Sequence, residues 1–337
     1  MKEDNMFGRK VIFGVVSLIT ILSMLLVACQ QEPETVITEE QSTEVEGSAV
    51  ETEEETVEAE EPVVEGPKKV LTLVWTQEFE SLNPLYSNMW FSIVTQQIWL
   101  SWAWEFDQAN TAFPKLVTEI PSVENGGITD DGRVLTLHLR DDLVWSDGTP
   151  LTADDFIFTA EMAINPANTV ASTYPYDNIE TIISPDPQTL VITFYEPFAP
   201  WLATLWHGVL PAHILRPIYE AEGTIDNAEW NLNPTVGCGP YILENWESGS
   251  YAKFVRNENY WGEVHLIDEV FFLFVPDDAS QVAALLAGDG DVGTFIAVSD
   301  VPTLQDAGIS IVTQPSWYMF AVQVDEAFFQ GAAGRPA

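Results

Sequence analysis

The chain has 337 residues and carries 12 lysines and arginines against 52 aspartates and glutamates, a formal net charge of −40 at pH 7. This composition excludes a nucleic-acid-binding protein, which needs a basic face, because an acidic surface repels phosphate. Apolar residues make up 46% of the chain and aromatic residues 12%, which excludes a wholly disordered chain, and two cysteines are too few for a disulfide framework.

The first 28 residues have the pattern of an export signal. Arg9 and Lys10 precede an apolar or small run over residues 11–28, which leads into Leu-Val-Ala-Cys at 26–29. This ending is typical of a bacterial lipobox, so we predict a lipoprotein signal peptide over residues 1–28 and lipidation at Cys29. The alternative is an uncleaved membrane anchor, since a run of this length can just span a bilayer. Both place the following residues outside the cytoplasmic membrane.

Residues 29–66 form an acidic segment with 14 glutamates, no basic residue and no aromatic residue. Such a segment cannot offset its ordering entropy by burial, and its like charges keep it extended. We therefore predict a disordered tether that lifts the next domain off the membrane. That domain, residues 67–337, still carries 36 acidic and 9 basic residues, a net charge of −27.

The first elements predicted in the body are strands. Residues 70–75 are rich in valine and leucine, and residues 134–139 alternate so that their three leucines share one face of a strand. Between these two strands, residues 89–106 include six aromatic residues. Part of this aromatic segment is expected to face a core.

A helix start is predicted at Thr152, because Asp155 three residues later completes a capping box. The apolar residues that follow at helical spacing predict one buried stripe, formed by Phe156, Ala160, Ala163 and Ile164. Asn-Pro at 165–166 ends the helix. Further strands are predicted at residues 189–194, 252–256 and 270–275, and a short helix from Ser280 to a stop at Gly288. Without strict βαβ alternation or a repeat, this mixture predicts an α/β or α+β class with mixed sheets.

No catalytic or cofactor motif fits its context. Gly288, Gly290 and Gly293 match G-x-G-x-x-G, but they follow a predicted helix, whereas a dinucleotide loop follows a strand and opens a helix. The same segment lacks the ligand and glycine positions of a calcium loop. We therefore predict no cofactor and no metal site.

The histidines and the remaining cysteine are also predicted to have structural roles. The four histidines, at 138, 207, 213 and 265, are predicted to be structural or surface residues. Cys238 is the one thiol left after lipidation and is predicted to be a small buried hydrophobic residue. The many acidic residues leave open a hydrolase with two carboxylates across a cleft. No pair stands out, so we predict that the protein is not an enzyme.

Six segments of the body, taken in chain order, match the pattern of one known family. They are Ser-Leu-Asn-Pro at 81–84, Asp-Gly and Leu-His-Leu-Arg within 131–140, Trp-Ser-Asp-Gly-Thr-Pro-Leu-Thr-Ala-Asp-Asp-Phe at 145–156, Gly-Cys-Gly-Pro-Tyr at 237–241, Arg-Asn and Tyr-Trp within 256–261, and Leu, Gly-Asp and Asp within 286–291. In them the chain resembles the extracytoplasmic solute-binding proteins of ABC importers, in the family of the oligopeptide- and dipeptide-binding proteins. The third segment is the most specific, and the resemblance covers about residues 68–325. Cys238 departs from the small polar residue usual there, but the glycines beside it are kept, so the turn is expected to survive.

The resemblance implies an α/β fold of the two-lobed, type II periplasmic-binding-protein kind, with mixed sheets and an extra subdomain. Residues 67–337 would be the solute-binding domain. The first lobe and its subdomain would extend to about residue 290, and residues 291–337 would be only the start of the second lobe. The second lobe would then be largely missing, as in a C-terminally truncated member of the family. The acidic residue that holds a peptide's α-amino group in relatives would lie in the missing part.

The function implied is that of a monomeric, lipid-anchored, extracytoplasmic component of an ABC transporter that captures oligopeptides or dipeptides and delivers them to a membrane permease. The loop after Leu85, with Ser87, Asn88, Met89 and Trp90, would line the cleft on the first lobe, and Trp317 and Tyr318 would lie near the hinge on the second.

Several alternatives to peptide capture stay open. Oligosaccharides and nickel complexes are other ligands within the family, and an aromatic-rich cleft would suit sugars as well as peptides. A secreted glycan hydrolase and an adhesion or sensor lipoprotein are alternatives outside it. An acidic body favours cationic or neutral ligands through long-range steering.

Overall fold

The structure is a computed structural model and describes residues 67–107, 109–314 and 320–325. Within this part of the chain, no helix is long and apolar enough to cross a membrane. The predicted signal peptide, the lipidation site at Cys29 and the tether lie outside the described residues. So do Trp317 and Tyr318.

A seven-stranded mixed sheet is the largest element. Its strands are β1 (Val70–Trp75), β7 (Tyr241–Glu247), β8 (Tyr251–Arg256), β9 (Glu269–Phe274), β10 (Val292–Thr294), β11 (Ile309–Gln314) and β12 (Phe320–Asp325), in the spatial order β11-β12-β10-β1-β9-β8-β7. β1 runs parallel to β9 and β10, and the other neighbours are antiparallel. The strand predicted at 70–75 is therefore the centre of the sheet, and the expectation of mixed sheets is confirmed.

Two small antiparallel sheets are formed by the strands between β1 and β7. One has the order β4 (Val134–His138), β6 (Thr189–Phe194), β5 (Ile179–Asp186), and the other pairs β2 (Trp104–Phe106) with β3 (Ala112–Pro114). The alternation predicted for β4 is confirmed, because Leu135 and Leu137 are buried while His138, the last residue of the strand, is exposed.

Six α-helices lie in the described residues: α1 (Trp90–Trp99), α2 (Ala153–Ile164), α3 (Trp201–Thr204), α4 (Ala212–Glu222), α5 (Asp278–Ala287) and α6 (Val301–Asp306). The capping box of α2 is confirmed: the Asp154 amide donates to Thr152 Oγ1 at 3.3 Å, and the Thr152 amide donates to Asp155 Oδ2 at 2.8 Å. α5 begins earlier than predicted, because Asp277 rather than Ser280 caps it, and it ends at Gly288 as predicted.

The predicted burial is wrong for one residue of the stripe on α2. Phe156, Ala160 and Ala163 are buried, but Ile164 is 47% exposed. At about 100° per residue, Ile164 lies roughly 80° around the helix from Phe156, at the edge of the stripe. It is also the last residue of the helix, so no further turn covers it.

The main core is dominated by aromatic side chains. Seven tryptophans of the described residues are buried: Trp75, Trp99, Trp102, Trp104, Trp145, Trp206 and Trp230. A second, smaller cluster packs α5 and α6 on the sheet, through Val74, Leu285, Ile296 and Leu304. Cys238 is fully buried in the main core, as predicted, and its burial raises the pKa of the thiol to about 12.

The predicted lobe boundary near residue 290 falls between α5 and β10. β10 pairs with β1, and β12 pairs with β10, so residues 292–294 and 320–325 extend the same sheet that begins at residue 70. The division into a first and a second lobe stays a prediction.

Candidate functional site

The loop that bears the predicted cleft residues is fixed by a buried amide network. Asn83 Nδ2 donates to Asn231 Oδ1 at 2.7 Å, and Ser81 Oγ donates to the Asn231 carbonyl at 3.1 Å. The Leu85 amide in turn donates to Asn83 Oδ1 at 2.9 Å. Because Ser81, Asn83 and Asn231 are all buried, these bonds are shielded from water and give residues 81–85 one defined path.

Residues 87–90 follow directly and lead into α1. The buried Ser87 hydroxyl donates to Glu80 Oε1 at 2.8 Å and accepts from the Met89 amide at 3.1 Å. Asn88 is exposed, Met89 is the N-terminal cap residue of α1, and Trp90 is half-buried. The structure therefore brings Asn88, Met89 and Trp90 together at the start of α1, and their role as ligand contacts stays a prediction.

An aromatic cluster surrounds Trp90. Its ring lies 6.0 Å from Trp75, 5.0 Å from Phe91 and 4.6 Å from Phe295, measured between ring centroids. Trp75 ends β1 and Phe295 follows β10, so the cluster lies at the carboxyl ends of two parallel strands. Ligands of open α/β sheets bind at this end of the strands. The sequence analysis missed Phe295, because only the strand pairing brings it to Trp90.

A cavity of about 120 Å³ opens beside the same loop. Ser87 and Asn88 line it, together with Ile93 and Gln96 of α1 and with His207. The nitrogen atoms Gln96 Nε2 and His207 Nε2 are buried and have no hydrogen-bond partner among the described residues. Gln96 carries no motif, and His207 was predicted to be structural or at the surface, so sequence reasoning did not find this cavity.

His207 is held by a stacking contact. Its ring lies 4.3 Å from the Trp102 ring, with an angle of 16° between the two planes. Burial lowers the pKa of His207 to about 4, because the charged imidazolium loses its hydration there. The imidazole is therefore neutral at pH 7.

A larger, acidic groove of about 770 Å³ lies on the other side of residues 78–80. Its lining includes Glu78, Glu80, Glu244 and the indole of Trp246. Glu78 accepts from Trp246 Nε1 at 2.5 Å and from the Gly249 amide at 2.8 Å, which ties the turn between β7 and β8 to the segment after β1. Glu80 links this groove to the loop through its bond to Ser87.

The motif at 237–241 packs against the C-terminal end of α1. The Gly239 amide donates to the Trp99 carbonyl at 2.9 Å, and a Cβ at Gly239 would lie 2.6 Å from the Trp99 carbonyl carbon. Only glycine allows this approach. Between the glycines, Cys238 Sγ accepts from the Ser101 amide at 3.3 Å, so the turn survives the departure at this position as expected.

The motif at 256–261 closes over that turn. Asn257 Nδ2 donates to the Gly239 carbonyl at 2.8 Å, and Trp261 Nε1 donates to the Cys238 carbonyl at 3.2 Å. The Arg140 guanidinium lies 4.8 Å from the centre of the Trp261 ring, a cation–π contact. Three of the six family segments therefore meet in one place.

The longest motif, at 145–156, joins two helices. Asp155 is buried, and its carboxylate accepts from the Thr152 amide at the start of α2 and from the Ala212 amide, at 2.9 Å, at the start of α4. Burial raises the pKa of Asp155. Nearby, His213 Nε2 lies 2.9 Å from Asp147 Oδ2. These contacts have a structural role, because they connect the start of α2 to the start of α4.

The glycine-rich segment at 288–293 also has a structural role, because it is hydrogen-bonded to β1. Asp291 Oδ2 accepts from the Thr72 amide at 2.7 Å, and the Asp291 amide donates to the Thr72 carbonyl at 2.8 Å. Through these two hydrogen bonds, Asp291 connects the start of β10 to β1. Among the described residues, no group of three or more histidine, cysteine, aspartate or glutamate side chains is placed to hold a metal ion.

Comparison with known proteins gives related sequences. The chain is 29% identical over 178 residues to protein XP55 of Streptomyces lividans, which covers 53% of this chain and 31% of that protein. It is 30% identical over 190 residues to the probable D,D-dipeptide-binding periplasmic protein DdpA of Escherichia coli K12, which covers 56% of this chain and 36% of that protein. The chain spans about a third of the length of these curated relatives.

Solved structures share the fold. NikZ of Campylobacter jejuni, in complex with Ni(L-His), has a TM-score of 0.65 and 27% identity, over 73% of this chain and 47% of that one. The oligopeptide-binding protein AppA of Bacillus subtilis, in complex with a nonapeptide, has a TM-score of 0.64 and 22% identity, over 74% and 48%. The mixed α/β fold described above is thus that of the type II periplasmic binding proteins, over about half of their length.

A family profile matches most of the folded body. The family is described as "Bacterial extracellular solute-binding proteins, family 5 Middle", and its profile matches residues 113–337. The matched range includes five of the six segments on which the resemblance was based, all those from residue 131 onward. The chain belongs to family 5 of the bacterial extracellular solute-binding proteins.

Proposed function

We propose that this chain is the substrate-binding component of an ABC transporter and that it captures peptides outside the cytoplasmic membrane for delivery to a membrane permease. The observation that supports this most is the position of the loop at 87–90, which a buried amide network holds beside the aromatic cluster at the carboxyl ends of β1 and β10. The similarity to DdpA, a probable D,D-dipeptide-binding protein, and to AppA, an oligopeptide-binding protein, favours peptide as the ligand.

In this proposal the ligand lies against the start of α1. The exposed Asn88 offers an amide to the peptide main chain, while Met89 and the half-buried Trp90 offer apolar contact. Trp317 and Tyr318 contribute from the hinge side. Recognition through the main chain leaves side chains free to vary, which suits a transporter of many peptides. Closure of two lobes on the ligand would give the permease a shape to recognise.

The proposal includes membrane attachment through Cys29 and the acidic tether at 29–66. A lipid at Cys29 would keep the protein at the membrane, and the tether would let it reach the permease. Radiolabelled palmitate should enter the wild-type chain and not a Cys29→Ser variant. Labelling of the variant at the wild-type level would contradict the lipoprotein assignment.

Tryptophan fluorescence tests the ligand class. Peptides of two to five residues should change the fluorescence saturably and remain intact, as mass spectrometry of the mixture would show. Trp90→Leu should weaken binding about tenfold or more through loss of aromatic contact. Trp201→Leu is the matched control, because Trp201 is also half-buried at a helix start but packs on Trp104 and is not among the residues that line the cavity beside the loop.

The other outcomes distinguish the alternatives. Saturation by an oligosaccharide or by nickel–histidine, with no response to peptides, would replace the substrate class and keep the transport role. Cleavage of an oligosaccharide would establish a hydrolase. Failure of all these ligands to bind would contradict the proposed function and favour a sensor or adhesion protein.

A further inference from the structure

The cavity beside residues 87–88 differs in chemistry from the rest of this acidic molecule. No lysine, arginine, aspartate or glutamate of the described residues lines it, whereas the neighbouring groove is lined by Glu78, Glu80 and Glu244. Its walls combine apolar surface, such as Ile93, with the rings of Tyr174 and Tyr176. A charged group placed here would lose its hydration without gaining an opposite charge, which costs several kcal/mol by ordinary estimates.

Two hydrogen-bonding atoms of the cavity wall are unpaired. Gln96 is 1% exposed, and its amide nitrogen has no partner within the described ranges, nor does the buried Nε2 of His207. A buried amide that makes no hydrogen bond costs about 1–3 kcal/mol, so an uncharged ligand group that pairs with it gains that contact at little desolvation cost. The neutral imidazole of His207 can complete a second bond.

The cavity shares Asn88 with the proposed ligand site. Ser87 and Asn88 line it from the loop, and Ile93 and Gln96 line it from α1, the helix that begins at Trp90. A ligand that lies against Asn88 and Trp90 therefore has the cavity within reach of one of its side chains. Its volume of about 120 Å³ corresponds to about four water molecules, which bounds the group to a few non-hydrogen atoms.

We propose that this cavity is a side-chain pocket of the peptide site and that it selects an uncharged, hydrogen-bonding side chain, that of asparagine, glutamine, serine or threonine. The pocket rests on the proposed function, because it assigns a specificity to the same site. Gln96 and His207 provide the hydrogen bonds, and the uncharged wall excludes lysine, arginine, aspartate and glutamate.

The test uses the full 337-residue chain and tripeptides of alanine in which one position is replaced in turn by glutamine, asparagine, serine, leucine, glutamate or lysine. At one of the three positions, glutamine or asparagine should bind about tenfold more tightly than leucine, because leucine fills the pocket but leaves Gln96 unpaired. Glutamate and lysine at that position should bind more weakly than leucine, at high salt as well as low.

Two variants identify the pocket residues. Gln96→Met keeps the size of the side chain, and His207→Phe keeps the stacked ring on Trp102, while each removes a hydrogen-bonding atom. Each should reduce the tenfold glutamine-over-leucine preference to about threefold or less. Gln188→Met is the control, because Gln188 is exposed in the turn between β5 and β6, and it should leave the preference intact.

Different results would contradict the pocket and the proposed function. Tripeptides that bind with equal affinity whatever the replaced side chain, in the wild type and in both variants, would overturn the pocket and leave peptide capture standing. No binding of any tripeptide would overturn peptide capture and the pocket with it. Because the preference is first measured on the wild-type chain, a variant that fails to fold does not decide the result.

Discussion

Gly239 is a position where the scaffold requires the absence of a side chain. A Cβ there would lie 2.6 Å from the Trp99 carbonyl carbon and 2.8 Å from the Leu100 amide nitrogen. Both neighbours are backbone atoms at the end of α1 and cannot move aside without moving the helix. We expect Gly239→Ala to lower the free energy of unfolding by about 3 kcal/mol, as overpacking does. Urea denaturation followed by tryptophan fluorescence measures it.

Gly126→Ala is the matched control for this prediction. Gly126 has a φ of 75°, and a Cβ there would meet nothing within 4 Å. It tests the strain of a left-handed backbone alone, which costs about 1 kcal/mol for alanine. Equal losses in the two variants would contradict the close approach of residues 237–241 to α1.

His207 gives a prediction about pH. Burial lowers its pKa in the folded chain to about 4, against the ordinary 6.5 that it regains on unfolding. Below about pH 6.5 the unfolded chain therefore binds the proton first, and stability falls as the pH is lowered to about 4. The loss reaches about 3 kcal/mol at most. Above pH 6.5 the residue has no effect on the pH dependence.

Unfolding curves at several pH values check this prediction by comparison with His207→Phe. The wild type should lose more stability than the variant between about pH 6.5 and pH 4, since other groups titrate alike in both. His138→Phe, at an exposed histidine on β4, serves as the substitution control. Parallel curves for the wild type and His207→Phe would show that His207 is not shielded from water.

At the scale of elements, the carboxylate of Asp155 joins two helices. It accepts from the Thr152 amide of α2 and from the Ala212 amide of α4. Asp155→Ala removes both bonds and leaves the buried Ala212 amide and the partly buried Thr152 amide without this partner, so we expect a loss of about 3 kcal/mol in the free energy of unfolding. Chemical denaturation of the purified variant gives this value directly.

The adjacent Asp154 provides the control for Asp155. Its side chain is 64% exposed and pairs with Arg216 at 2.8 Å. A surface ion pair of this kind contributes at most about 1 kcal/mol, so Asp154→Ala should be nearly neutral. Similar losses in both variants would mean that the first turn of α2, rather than its link to α4, determines the effect.

The elements also show what the sequence could predict. The start of α2 was predictable because a capping box is a local pattern with fixed spacing, and β1 and β4 were predictable from β-rich or alternating residues. α1 was not, since Met89 offers no side-chain cap. The candidate site was predictable only in part. Residues 88–90 came from the family resemblance, whereas Phe295, Gln96 and His207 meet through tertiary contacts that leave no local signal.

At the scale of the molecule, four of the six family segments have the same structural role. Those at 81–84, 145–156, 237–241 and 256–261 form buried joints between elements, through Asn83, Asp155, Gly239 and Asn257. They identify the scaffold. The residues proposed to select a ligand lie outside these segments, which explains how a scaffold can be recognised from sequence while its ligand is not.

The whole molecule carries a net charge of −40, and residues 67–337 alone carry −27. This charge attracts cationic ligands from a distance, whereas the uncharged cavity acts only after contact. Long-range attraction raises association rates more than affinity.

At 0.01 M salt, where the Debye length is about 30 Å, a Lys-Ala-Lys peptide should bind about tenfold faster than Glu-Ala-Glu. At 1 M salt, where that length is about 3 Å, the two rates should converge. Stopped-flow fluorescence measures both, with trialanine as a salt-insensitive control, and equal rates at low salt would show that the acidic surface does not steer the ligand.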